Sequence, residues 1–326
     1  MKRCIFYLFI MVATALSASC RENAPKTSIG EPYEVFVICD DQPWESYIKA
    51  ATSEVLEANV PGLVRPEKYF HIVDHDNFKD TNDVERKHSN LLAVNIDPTV
   101  SKTTMVISRD VHAAPQSVVT ITSPSAVEAA QYIYDHGMEI REAFEHNERL
   151  IHFKTLSATN SAEPISIVRE LTGLDMHIPG GFTVARPKED IMKWFIRKYT
   201  NKQQHIFVYT EPCDDINTLS VESIEQSLDN HIGIISVKDE EGSYMCISKE
   251  RPIYVTAKSI NDRVWYETRC CWRVEGYPMG GPLTSYSTYD EANKRLITIA
   301  FALFSPEQMQ RHDMAQLESL MFLIKK

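Results

Sequence analysis

Apolar runs with period-two character alternate along the chain with segments whose apolar residues recur every three or four positions. Tyr33 to Cys39 (YEVFVIC) is rich in β-branched and aromatic residues and predicts a buried strand, stopped at Asp40-Asp41-Gln42-Pro43. Trp44, Ile48, Ala51, Val55 and Ala58 then fall at helical spacing, and Asn59-Val60-Pro61-Gly62 predicts a turn. Further strands are expected at Phe70–His75, Leu91–Ile96, Thr104–Ser108 and Ser117–Thr122. Ser123-Pro124 supplies a helix cap and first turn for one long helix with Ala126, Ala130, Ile133, Gly137, Ile140 and Phe144 as its stripe.

Ala158 to Pro164 reads as a linker between halves. After it come a short helix near Ile165–Thr172 and a turn at Pro179-Gly180-Gly181. Strands follow near Phe182–Ala185, Lys193–Tyr199 and His205–Thr210. A helix is expected near Leu219–Leu228, with strands near Tyr244–Ser248, Ile253–Ala257 and Val264–Val274. Met279-Gly280-Gly281-Pro282 reads as a sharp break before a strand at Arg295–Phe304. Ser305-Pro306 then opens a last helix striped by Met314, Leu317, Leu320, Met321 and Ile324.

These elements predict an α+β fold in two halves, residues 31–157 and 165–326, each a mixed or antiparallel sheet with packed helices. Both Phe36-Val37 and Phe207-Val208 precede an acidic stop and a helix, and both Ser123-Pro124 and Ser305-Pro306 follow a strand. That order suggests an internal duplication.

The N-terminus has a different pattern. Lys2 and Arg3 precede the apolar run Cys4 to Leu16, then Ser17-Ala18-Ser19 and Cys20. A positive start, an apolar stretch and small residues define a secretory signal, residues 1–19. A cysteine at that point suits bacterial lipidation, although Ser17 stands where the lipobox usually carries leucine. The run is shorter than the ~20 residues of a spanning helix. Residues 20–30 are polar, with a proline and a glycine, and read as a tether. The expectation is a body held on the cell envelope through a lipid anchor. Acylation is a stable hold because each buried methylene contributes ~0.8 kcal/mol.

The net charge of -11, without a basic stripe, argues against nucleic acid as a partner. Past Cys20 the cysteines are Cys39, Cys213, Cys246, Cys270 and Cys271. Their odd number leaves at least one unpaired, and adjacent Cys270 and Cys271 on a strand point to opposite faces. The chain has no H-E-x-x-H, G-x-S-x-G, phosphate-loop or G-x-G-x-x-G motif. No cofactor or metal is assigned.

Two sets of residues remain as candidate sites. Asp40, Asp41, Asp214 and Asp215 follow strands and precede helices, where carboxylates serve as caps. Brought together, they could instead hold Ca²⁺ or do acid–base work. Trp272, Tyr277, Met279, Gly280, Gly281 and Pro282 form either a tight structural turn or a loop for a ligand or partner. His71 and His75 sit on one strand about 13 Å apart, too far for one metal ion.

Several short motifs occur in an order that resembles a known family. They are Pro32-Tyr33-Glu34-Val35, Pro61-Gly62-Leu63 with Arg65-Pro66-Glu67, Ala114-Pro115-Gln116, Ile178-Pro179-Gly180-Gly181-Phe182, Trp272 and Met279-Gly280-Gly281-Pro282. From about residue 30 to the C-terminus the chain resembles the Bacteroidetes lipoprotein family called domain of unknown function 4837. The resemblance implies a Gram-negative envelope lipoprotein, at the outer membrane, and transfers no catalytic residue. The favoured expectation is a non-catalytic binding or accessory module with an envelope protein or glycan as partner. The alternative is an envelope hydrolase acting on glycan or peptide through acidic residues. Replacing Cys20 by alanine is expected to abolish incorporation of a labelled fatty acid in cells; continued labelling of Cys20→Ala would contradict the anchor.

Overall fold

A computed structural model describes residues 26–75, 82–187, 189–237 and 241–325. The signal segment and Cys20 lie outside the described residues. Among those described, no helix is long and apolar enough to cross a membrane. The chain divides into two compact units: one of residues up to Ile48 with Val73–Tyr132, the other of Lys49–Ile72 with Ile133–Lys326.

The first unit is built on a five-stranded sheet of β1 (Glu34–Ile38), β2 (His71–His75), β3 (Asn90–Ile96), β4 (Thr104–Arg109) and β5 (Ser117–Ser123), in the order β2-β1-β3-β5-β4. β1 pairs in parallel with β3, and β3 in parallel with β5, while β4 runs antiparallel to β5 at the edge. Parallel strands are buried on both faces, which explains the unbroken apolar sequence of β1 and β3. Edge strand β4 instead leaves Val106 and Ile107 exposed.

Gln116 is almost wholly buried. Its Nε2 donates to the carbonyls of Arg86 (2.7 Å) and His88 (2.8 Å), and its Oε1 accepts from the His112 N–H (2.8 Å). Asn90 donates to the carbonyl of Glu34 at 3.0 Å. Residues 26–30 are not the free tether expected. Thr27 and Ile29 form parallel bridges with Ala114 and His88, because their backbone groups satisfy those of Lys87, Ser89 and Ala114.

After β1 a helical segment begins at Asp41–Pro43, loosens into a π-helical turn at Trp44–Ile48 and continues as α1 (Lys49–Leu56). The single long helix expected after Ser123 is two: α2 (Ala126–Asp135) and α3 (Gly137–Leu156), broken at His136. A Cβ on Gly137 would lie 2.7 Å from Cγ2 of Val55, so α3 starts where a missing side chain admits α1.

The second unit carries an antiparallel sheet in the order β10-β11-β12-β13-β8-β7-β6, with β9 added to β11. The strands are β6 (Thr183–Ala185), β7 (Lys193–Lys198), β8 (Gln203–Pro212), β9 (Tyr244–Ile247), β10 (Tyr254–Ile260), β11 (Arg263–Glu275), β12 (Tyr277–Asp290) and β13 (Arg295–Phe304). Its strands alternate between two cores. Ile206, Val208, Ile299 and Phe301 face one side, under α4 (Ala162–Thr172) and α6 (Arg311–Ser319). Phe207, Tyr209, Ala300 and Ala302 face the other, under α5 (Val221–Ile232). Burial on both faces accounts for the continuous apolar run of β13.

The fold is α+β as the pattern indicates, with one mixed and one antiparallel sheet, but it is not a duplication. β1 is a parallel strand and β8 an antiparallel one, and the two sheets differ in order. The matching acidic stops are not equivalent: Asp215 caps a 3-10 turn with its side chain, and Asp40 makes no side-chain capping bond. Ala158–Pro164 is packed rather than a free linker: Pro164 is buried, Ser161 Oγ donates to the Pro179 carbonyl (2.8 Å), and Thr159 lies where Gly180 would carry a Cβ. The last helix starts at Arg311, not at Ser305-Pro306. Its first N–H groups, on Gln310 and Arg311, donate to the carboxylate of Glu67 at 2.7 and 2.8 Å.

Two histidines are buried in neutral form. Burial, with a smaller effect from Lys198, lowers His205 to about 3, and its Nδ1 accepts from Trp194 Nε1 at 3.1 Å. Burial, then His312 and Arg311, lowers His152 to about 3. Between the ordinary histidine value near 6.5 and about 3, the unfolded chain binds these protons and the folded chain does not. Stability is therefore full above pH 6.5 and falls as pH drops, by up to about 1.4 kcal/mol per pH unit for each ring. Urea unfolding at stepped pH should show this slope, and His205→Phe should make it shallower between pH 6 and 4. An unchanged slope in a folded variant would contradict the assignment.

Candidate functional site

α5 begins with a reciprocal cap. Ser220 Oγ accepts from the Ser223 N–H (3.1 Å), and the Ser220 N–H donates to Ser223 Oγ (2.8 Å). Ile224, Leu228 and Ile232 recur at four-residue intervals and bury against the sheet. That docking leaves Ser227 and His231, one turn apart, on the shoulder facing β8. On β8, Tyr209 and Glu211 share a face by strand alternation.

A line of hydroxyls results. Ser287 Oγ and Thr298 Oγ1 are 2.9 Å apart, Tyr209 Oη and Ser227 Oγ are 3.0 Å apart, and Ser227 Oγ donates to Glu211 Oε2. The rings of Tyr209 and His231 stack at 3.6 Å and 10°. His231 Nδ1 donates to the Ser227 carbonyl at 2.8 Å and lies 3.9 Å from Glu211 Oε1. Burial pushes the Tyr209 phenol well up, the Glu211 charge adds to this, and hydrogen bonds to Ser227 and Thr298 oppose it. The phenol is therefore a neutral hydrogen-bonding group.

This line floors a cavity of about 480 Å³ between α5, β8 and β13. Glu211, Asp214, Asp215, Gln226 and Asn230 line it, and no lysine or arginine does. Its walls thus offer acceptors and negative charge. His231 addresses a carbonyl rather than the Ser227 hydroxyl, so the two do not form a nucleophile–base pair.

The cavity includes half of the acidic residues singled out in the sequence. The carboxylate of Asp215 accepts from the Asn217 N–H (2.9 Å) and Nδ2 (2.8 Å), capping the 3-10 turn Ile216–Thr218. The Asp214 carbonyl accepts from Tyr289 Oη at 3.3 Å. Asp40 and Asp41 belong to the first unit, at the carboxyl end of β1. Asp40 occupies the cap position without a side-chain capping bond, and its carbonyl receives the Trp44 N–H at 3.1 Å. Burial, reinforced by the charges of Asp40 and Asp41, pushes the Cys39 thiol up to about 12. His71 is exposed on β2. Among the described residues, no group of three or more His, Cys, Asp or Glu is placed to hold a metal ion.

Met279-Gly280-Gly281-Pro282 is not a break or a loop but lies inside β12, whose turn from β11 is at Gly276 (φ 77°). The two glycines serve close strand approach. A Cβ on Gly280 would sit 2.7 Å from the Trp272 carbonyl oxygen, and one on Gly281 only 1.9 Å from that of Leu303. Trp272 is buried in the core with Phe207 and Leu283, its Nε1 without a hydrogen-bond partner. Tyr277 is exposed at the hairpin tip and Met279 half-buried, so these aromatics form no contact platform. Sequence reasoning missed Tyr209, Glu211, Ser227 and His231. The signals were present, as alternation on a strand and four-residue spacing on a helix.

Fold and site together define a two-unit α+β protein with an acidic, hydroxyl-floored cavity in its antiparallel unit. Residues 161–322 match the family model described as domain of unknown function 4837. Residues 28–156 match a second model, domain of unknown function 8532. The motifs at Pro32–Val35, Pro61–Glu67 and Ala114–Gln116 thus fall in the second match rather than in the first. No curated protein matches the chain.

Proposed function

We propose that this is a lipid-anchored protein of the cell envelope, and that its second unit binds, without turning over, a glycan bearing hydroxyl and amino groups. The anchor rests on the order Lys2-Arg3, apolar Cys4–Leu16, small residues and Cys20. The binding role rests on one observation above the others: a hydroxyl line ending on Glu211 at the floor of a cavity whose charged lining is wholly acidic. Such walls accept hydrogen bonds, so the complementary ligand donates them. An ammonium group adds charge complementarity to Glu211, Asp214 and Asp215.

Isothermal titration with a glucosamine trimer tests this. Saturable binding is expected, weaker at high salt, and weaker for the N-acetylated trimer, which lacks the charge. Glu211→Gln should reduce affinity by about tenfold, the scale of one charge-assisted hydrogen bond. Absence of saturable binding, or equal affinity in a folded Glu211→Gln variant, would rule the cavity out as this site.

A further inference from the structure

We propose that the second unit carries a separate binding site for a medium-chain carboxylate, at the tip of the β10–β11 hairpin. The turn there consists of Asn261 and Asp262, both with positive φ (51° and 60°). Short polar residues adopt that conformation most readily, and two in succession make the tight turn that a twisted hairpin favours. The turn places Ile260 opposite Arg263 in register.

A cavity of about 300 Å³ lies beside it, with Leu174, Ile260, Trp265, Met321 and Ile324 among its walls and Arg263 on its lining. Arg263 puts a guanidinium on this lining, and a carboxylate, which accepts from two of its N–H groups at once, is the group that matches it best. The wall on the C-terminal side is fixed in place. Asn261 Nδ2 donates to the Ile324 carbonyl at 2.7 Å, and the Lys325 N–H donates to the Asp175 carbonyl at 2.9 Å.

Lys325 also lines this cavity, so both charged lining residues are cationic in a chain of net charge -11. The nearby carboxylate of Asp175 is engaged by Arg169. An apolar interior with cations on its lining fits an amphiphilic anion: the chain packs against Trp265 and Met321 while the carboxylate meets Arg263. The ligand charge is opposite to that suited to the acidic cavity at α5, so the two proposals stand or fall independently.

Titration of the purified protein with octanoate, and with 1-octanol as its neutral counterpart, decides the matter. Binding is read by calorimetry and by the change in tryptophan fluorescence that Trp265→Phe removes. Octanoate is expected to bind saturably and octanol about tenfold or more weakly. Arg263→Gln should lose a similar factor, while Arg263→Lys retains part of the affinity. No saturable octanoate binding, equal binding of acid and alcohol, or full affinity in a folded Arg263→Gln would overturn the site. The comparison of acid with alcohol uses the unaltered protein, so it holds even if Arg263→Gln fails to fold.

Discussion

The guanidinium of Arg269 lies between two carboxylates in the interior of the second unit, and much of that unit is arranged around it. Nη1 and Nη2 donate to the two oxygens of Glu318 at 2.8 Å each, and Nε and Nη2 donate to those of Glu267 at 3.1 and 3.2 Å. Only 13% of the arginine side chain, 5% of Glu267 and 9% of Glu318 remain exposed. The remaining acceptor capacity is taken by Tyr286 Oη and Thr284 Oγ1, each at 2.8 Å, and by Lys258 Nζ at 3.0 Å. Burial alone would raise Glu267, but Arg269 and Lys258 hold it down at about 2. Burial would lower Arg269, yet Glu318 and Glu267 hold it well above its ordinary value. A buried ion pair is stabilising only when every lone pair and proton is met, and here hydrogen bonds meet the carboxylates from several sides.

The network joins a strand to a helix, and the surrounding chain depends on that junction. Glu318 belongs to α6, whose N-terminus is capped from outside by Glu67. The loop that supplies Glu67 reaches the sheet at Gly62, where a Cβ would sit 2.9 Å from that of Arg269, and the backbone there has φ 77°. Cys271 Sγ donates to the Gly62 carbonyl at 3.5 Å. Pro61-Gly62-Leu63 and Arg65-Pro66-Glu67, two of the motifs behind the family resemblance, are therefore packing and capping devices. The same holds for Gly180 against Thr159, with Arg197 over the Phe182 ring at 4.6 Å, and for Gly280 and Gly281 against neighbouring strands. These motifs preserve close approaches of backbone and do not in themselves mark chemistry.

This explains what could be read from the residues and what could not. Long elements with a strong period were legible: β1, α1, α5, β11 and β13 fall where the pattern puts them. Glycine pairs misled at positions 280 and 281, because a glycine needed for space looks in sequence like one needed for a turn. The break at His136 depends on Val55, far away in the chain, and no local pattern reports it. Asp214 and Asp215 were noticed as caps, and Asp215 is one. The cavity beside them depends on Tyr209, Glu211, Ser227 and His231, whose meeting is set by how α5 docks on β8. Periodicity gives the face of each element but not which faces meet.

The two cavities differ in lining charge while sharing one scaffold, so the scaffold's integrity is the claim on which the rest turns. The most direct measurement is the urea unfolding free energy of Arg269→Met beside that of Glu267→Gln/Arg269→Met/Glu318→Gln. Removing the cation alone leaves two buried carboxylates unpaired and should cost about 3–5 kcal/mol. Removing all three charges should recover most of that loss, since neutral amides carry no such penalty. A single variant within about 1 kcal/mol of the parent, the range of surface ion pairs, or a triple variant no more stable than the single, would contradict the account.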